Sequence, residues 1–342
     1  HHFLPFFGVA HIGYIPNGNR TYYVGRSQPP FYACMVNLLA EEKGDNVLIS
    51  CLPRLEKEYG FWMKGARATP LPDGGVLNNY WDESDTPRPE SFKEDEELAR
   101  AAKAKKITYR HLRAAAESGW DFSSRWFKNG KDLSSIHTAD ILPVDLNCLL
   151  LNLEQTIARA CLLSNDAASS ARYQAAANQR KEAIAKHCWN TKLGFYFDYD
   201  GAAGAQKHSL TLAGAYPLFF KIATKEQAAA MARTLRDKFL HPGGVVSTTK
   251  ATGQQWDSPN GWAPLHWITV QGLANYGYGE LAKEIAARWM RLNEKVYRNT
   301  GKMMEKYNVI DTSLEAGGGE YPAQDGFGWT NGVYLALDKW LT

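Results

Sequence analysis

No apolar run in this 342-residue chain reaches the roughly 18 residues that a membrane-crossing helix needs. Neither sign of charge dominates: 39 Lys and Arg stand against 36 Asp and Glu, a formal net charge of +3. A nucleic-acid binder needs a concentrated basic surface, so this balance argues against one. Cysteine is scarce. The five residues Cys34, Cys51, Cys148, Cys161 and Cys188 are odd in number and scattered, without CxxC or Cys/His spacing. That speaks against a disulfide framework and against a zinc site. Cys148 and Cys161 lie in apolar helical stretches and read as small buried thiols. HExxH is absent and the nine His do not cluster at ligand spacing, so no metal or other cofactor is expected. The run Gly317-Gly318-Gly319 is followed by Glu320 rather than Lys and Ser/Thr, and a carboxylate there would repel a phosphate. No GxSxG elbow opens a serine-hydrolase reading. The chain starts His1-His2-Phe3, without an initiator Met or a basic-then-apolar leader, and reads as a processed, tagged or truncated start.

What is present is a soluble globular composition, 44% hydrophobic and 22% charged, with a helical period throughout. From Leu146, apolar residues fall at Leu149, Leu150, Leu153, Ile157 and Cys161, the stripe of a helix with a buried face. Thr224-Lys225-Glu226-Gln227 reads as a capping box, followed by Ala228, Met231, Leu235 and Phe239 on one face. Leu281, Ile285, Trp289, Leu292 and Val296 make another stripe, and weaker ones cover about 29–42, 52–64, 94–117, 166–188, 208–222, 262–276 and 329–340. Strand patterns are rare and short. The pattern predicts an all-α protein of antiparallel helix neighbours. No short repeat or low-complexity linker divides it, so a single domain over 1–342 is expected.

Between the helices lie loops rich in Gly, Pro, Asn and aromatics, and such loops carry function more often than helices do. They hold acids beside aromatic rings: Asp121 in Gly119-Trp120-Asp121-Phe122-Ser123-Ser124-Arg125-Trp126, Asp257 beside Trp256, Glu305 in Met304-Glu305-Lys306-Tyr307, and Glu320. Two carboxylates facing each other across a pocket can split a glycosidic bond, one protonating the leaving oxygen and the other activating water. Trp faces suit the apolar side of a sugar ring. Taken singly, each residue also has a plainer use. Asp121 would cap a helix beginning near Phe122. Asp257 would satisfy the turn at Ser258-Pro259-Asn260-Gly261. Glu305 would be a solvated charge beside Lys306, Arg88 and Glu90 a surface ion pair, Arg26 an exposed residue, and the Trp residues core.

Taken together the loops resemble one family. Gln255-Trp256-Asp257-Ser258-Pro259-Asn260-Gly261-Trp262-Ala263-Pro264 is similar to the second signature of the α,α-trehalases, QWDxPxGWAP. Ile15 to Arg20, Arg26-Ser27-Gln28-Pro29-Pro30, Arg88-Pro89-Glu90-Ser91, the block Gly119 to Trp126, and Gly317 to Gly328 resemble trehalase blocks in the same order. The resemblance implies an (α/α)6 toroid and inverting hydrolysis of trehalose to two glucose molecules without a metal. It implies Asp121 as general acid, from the family's GWDFSSRW block, and Glu305 as general base, from its EKY block. It further implies that Asn17, Arg26, Ser27, Gln28, Arg88, Pro89, Glu90 and Gly119 hold the sugar, with Trp256 beside it and Glu320 in the loop that closes over it. The family's first signature, an upstream PGGRF…WD block, has no counterpart in this chain. A toroid incomplete at the N-terminus, and association with a missing N-terminal segment, are therefore expected. A non-catalytic, trehalase-like sugar binder is the alternative. The periplasm is the expected compartment, with the cytoplasm as the other.

Overall fold

The fold is that of a computed structural model, which describes residues 13–102, 105–315, 317 and 324–342. Eleven α-helices form among the described residues: α1 (Tyr32–Lys43), α2 (Asn46–Trp62), α3 (Phe92–Ala102), α4 (Lys105–Ser118), α5 (Val144–Leu163), α6 (Ala167–His187), α7 (Tyr216–Phe219), α8 (Lys225–Thr234), α9 (Ala263–Asn275), α10 (Gly279–Thr300) and α11 (Gly328–Leu341). The strands between them are two or three residues long. The all-α expectation therefore holds. None of these helices is long and apolar enough to cross a membrane.

Local chemistry explains some of the boundaries. Asp166 caps α6 by accepting from the Ser169 amide, and Thr224 and Gln227 form the expected reciprocal box at the start of α8. Three stretches differ from expectation. The stripe at 94–117 belongs to two helices, α3 and α4. The stretch at 208–222 is a 3-10 turn, Leu212–Ala215, and the four-residue α7, which has Pro217 in its first turn. Pro donates no N–H and is favoured at a helix start, and here Pro217 stands in the first turn of a short helix rather than inside a long one. The same preference suggests a start near residue 52, yet α2 begins six residues earlier and carries Pro53 inside it. Packing outweighs the local signal there: Leu48, Cys51 and Leu55 are all buried.

The chain divides into two compact units. The first comprises the residues up to Trp120, with Ser134–Cys188 and Tyr199–Gln206. Its core gathers Val36, Leu48, Leu55, Trp62, Tyr80, Leu146, Leu150, Leu153 and Ile157. α5 lies against α1, α2 and α6 and is buried on almost every side. Its polar residues are correspondingly partnered. Glu154 pairs with Arg180 at 2.8 Å, and Asn147 accepts from the Asn78 amide at 2.8 Å. A buried charge or amide left alone would cost more than the packing returns.

The second unit comprises Asp121–Leu133, Trp189–Asp198 and Lys207–Thr342. Here α9 packs with α7, α10 and α11, and the stripes of α8 and α10 are buried as their periodicity predicts. An antiparallel strand pair, Asn260–Trp262 with Lys306–Asn308, sets Trp262 opposite Lys306. At Gly261 a Cβ would sit 2.8 Å from the Val245 carbonyl oxygen and 2.6 Å from Val309, so only glycine lets the strand approach this closely.

Candidate active site

In the second unit two loops are bound together around Asp257. Its buried carboxylate accepts hydrogen bonds from Ser123 Oγ (2.8 Å), the Ser124 amide (2.9 Å), Ser124 Oγ (3.0 Å), Thr248 Oγ1 (3.0 Å) and Thr252 Oγ1. The plain reading of Asp257 as a turn residue is therefore too small: it anchors the segment that follows Asp121. A few residues on, Arg125 pairs with Asp198, its Nε at 2.7 Å and NH2 at 2.9 Å from the two carboxylate oxygens. Residues 122–127 are buried, whereas Asp121 keeps partial exposure. Asp121 is not the helix cap that its position suggests. Ser123 caps the 3-10 turn Ser124–Trp126, accepting from the Arg125 amide.

Glu305 is 3% exposed and Lys306 0%, so neither is a solvated surface charge. Lys306 Nζ donates to Glu305 Oε2 at 2.9 Å and to Gln255 Oε1 at 3.0 Å. The other end of the Gln255 amide donates to the Asp121 backbone carbonyl. Trp262 and Asn260 in turn hold the Gln255 carbonyl, each at 3.0 Å. Trp256 stacks on Trp262, with ring centroids 3.8 Å apart, and the Lys306 ammonium lies 5.3 Å from the Trp262 ring. The Glu305 main chain is fixed by Gln324, whose carbonyl accepts at 2.8 Å, and by Trp329 Nε1, which donates at 3.1 Å. Beside it, Tyr307 accepts from the Met304 amide, and burial pushes its phenol up to about 12.

The remaining expected residues lie in the first unit. Arg26 is fully buried, not exposed. Its NH2 pairs with Glu90, while its Nε and NH1 have no hydrogen-bond partner among the described residues. Arg88 is also buried, but its partner is Asp95, not Glu90. Backbone and guanidinium both reach that carboxylate, NH2 at 2.8 Å. Glu90 and Pro89 stand on the 3-10 turn Pro89–Ser91. Ser27 gives both its amide and its hydroxyl to Glu117, at 3.0 and 2.9 Å, and Glu117 also accepts from Arg67 (2.7 Å) and the Trp81 amide (2.8 Å). Asn17 and Gln28 interlock: Gln28 donates to the Asn17 carbonyl at 2.8 Å, and Asn17 to the Ala116 carbonyl at 3.0 Å. Gly119 follows α4 with φ +75°, a left-handed step that favours glycine. Glu320 lies outside the described residues.

Sequence reasoning passed over Lys306, Gln255, Glu117 and Asp95. Gln255 stands inside the second signature, and Lys306 follows Glu305 in sequence, but neither position by itself signals the bond between them. Nothing local marks Glu117 or Asp95, because their role depends on burial. Among the described residues no group of His, Cys, Asp and Glu is arranged to hold a metal.

Residues 3–340 match the family model described as Trehalase. The chain is 50% identical to a periplasmic trehalase of Salmonella agona over 337 residues, 95% of this chain and 59% of the relative. It is 49% identical to a putative periplasmic trehalase of Salmonella typhi, with the same coverage. It thus spans about 59% of the length of these curated relatives. Among solved structures it is similar to neutral trehalase Nth1 from Saccharomyces cerevisiae, with TM-score 0.83 and 27% identity over 99% of this chain and 66% of that one. It also shares its fold with a GH63 mannosylglycerate hydrolase from Thermus thermophilus, with TM-score 0.63 and 20% identity over 93% of this chain and 76% of that one. The fold class is the expected all-α (α/α)6 class. The chain belongs to the trehalase family.

Proposed function

We propose that this chain hydrolyses α,α-trehalose to two glucose molecules with inversion, Asp121 acting as general acid and Glu305 as general base. One observation carries the reading beyond family membership. The backbone of the acid and the carboxylate of the base are joined through two side chains, Gln255 and Lys306. Trehalose links two anomeric carbons through one oxygen, so a proton must reach that oxygen while water attacks one carbon from the opposite face. An inverting pair needs about 6.5–9.5 Å between its carboxyl groups to admit that water. The partial exposure of Asp121 suits a proton donor that must meet the leaving oxygen. The Lys306 ammonium, 2.9 Å from Glu305 Oε2, holds that carboxyl group in place.

Sugar hydroxyls need donors and acceptors in fixed positions. The two unpartnered nitrogens of Arg26 supply donors, and Glu90 holds the guanidinium in place. Asn17, Ser27, Gln28, Arg88, Pro89 and Gly119 keep the sugar-binding part that the resemblance implies. Trp256 presents ring area, and Glu320 keeps its part in the closing loop. We assign the working unit to the chain as one catalytic domain, completed by the segment that carries the first signature. The compartment is the periplasm, as in the Salmonella relatives.

Proton NMR of the products tests the assignment. The initial products are one α- and one β-glucose, because only the attacked carbon inverts. Asp121→Asn and Glu305→Gln each lower turnover by about 10²–10⁴-fold. Retained turnover in both variants overturns the assignment. Calorimetric binding of trehalose without any turnover returns the chain to the sugar-binder reading.

A further inference from the structure

We infer that Lys306 and Gln255 are positioning residues for the proposed hydrolysis, which together set the Glu305 carboxylate relative to the segment carrying Asp121; the inference rests on the reading of those two acids given above. A fully buried ammonium is costly unless it is bonded on several sides. Lys306 has Glu305 Oε2 at 2.9 Å, Gln255 Oε1 at 3.0 Å and the Trp262 ring at 5.3 Å. The bond to Glu305 Oε2 gives the buried ammonium its counter-charge, and in forming it the ammonium holds the Glu305 carboxylate in place. Gln255 is equally constrained. Its side-chain oxygen accepts from Lys306, its side-chain nitrogen donates to the Asp121 carbonyl, and its own carbonyl is held by Asn260 and Trp262. A primary amide is the group that can accept from an ammonium at one end and donate to a carbonyl at the other. A carboxylate in its place would lose the donor, and an alkyl chain would lose both.

The test compares Lys306→Met, Lys306→Arg, Gln255→Leu and the Lys306→Met/Gln255→Leu double variant with the wild-type chain, all checked for native circular dichroism. We expect kcat to fall about 10²-fold in Lys306→Met and Gln255→Leu with KM little changed, as for a misplaced rather than a missing catalytic group. The double variant loses less than the product of the two, because both act through one chain of bonds. Lys306→Arg, which keeps a cation able to reach the Glu305 carboxylate, recovers part of the lost kcat. An unchanged kcat in Lys306→Met overturns the inference while leaving the assignment of the two acids intact.

An independent readout needs no turnover. The lysine ammonium signal in a ¹H–¹⁵N spectrum, assigned by its loss in Lys306→Met, should shift in both Glu305→Gln and Gln255→Leu. A signal that moves in neither overturns the inference even if the chain hydrolyses nothing.

Discussion

Glu58 is a carboxyl group folded into the helix packing of the first unit, with one oxygen lacking any hydrogen-bond partner among the described residues. Burial pushes it up to about 8 from an ordinary 4.5. The fold therefore holds it protonated where the unfolded chain would ionise it. Its contribution is complete below pH 4.5 and is lost as pH rises towards 8. Glu58→Gln keeps the shape and the neutral side chain and removes the titration. At pH 7.5 it should stabilise the protein by up to about 4 kcal/mol in urea unfolding, and at pH 4 it should change little. Equal effects at both pH values would show that the carboxyl is not titrating in the fold. Arg26 makes the contrasting case: equally buried, always charged, paired with one carboxylate, and left with two donors to give.

At the scale of single elements, the stripes and caps explain most of the architecture. The box at α8 is complete in both directions: Thr224 Oγ1 accepts from the Gln227 amide at 3.2 Å, and Gln227 Oε1 accepts from the Thr224 amide at 2.8 Å. Thr224→Ala should cost about 1 kcal/mol, read from the denaturant midpoint. A loss below about 0.3 kcal/mol would mean that packing of Ala228, Met231 and Leu235 alone sustains the helix. The short strand pair Asn260–Trp262 with Lys306–Asn308 matters more than its length suggests, because it brings the signature loop beside the segment that carries Glu305. No alternation announces it in the sequence. Its three positions are chosen by a close backbone approach at Gly261 and by the Trp262–Lys306 register, both of which depend on residues remote in the chain.

For the whole molecule, two buried groups shape the dependence of stability on pH in opposite directions. His266 accepts from the Val245 amide through Nε2, and burial lowers it to about 3 from 6.5. The unfolded chain takes up this proton below 6.5 and the folded chain does not, so stability is lost as pH falls from 6.5 towards 3. Glu58 removes stability as pH rises from 4.5 towards 8. Between 4.5 and 6.5 the two slopes cancel. The unfolding free energy should therefore show a plateau there and fall on each side, by about 1.4 kcal/mol per pH unit where each acts alone. In Glu58→Gln the alkaline fall should disappear and the acid fall remain. An acid fall that vanishes with it would refute the separate origin of the two.

The sequence by itself determined the helical class, the long buried stripes, the capping box and the family. Each of these is written in neighbouring residues, as a period of apolar side chains, a four-residue box or a ten-residue signature. The parts proposed for Asp121 and Glu305 rest on that resemblance, since local pattern alone points to a cap and a solvated charge. The tertiary structure alone decided which charges meet. It paired Arg88 with Asp95, Arg26 with Glu90 and Ser27 with Glu117, and it drew Lys306 and Gln255 between the two acids. The physical reason is that burial makes the partner of a charge obligatory, and burial is a property of the packed chain that no short window of residues contains.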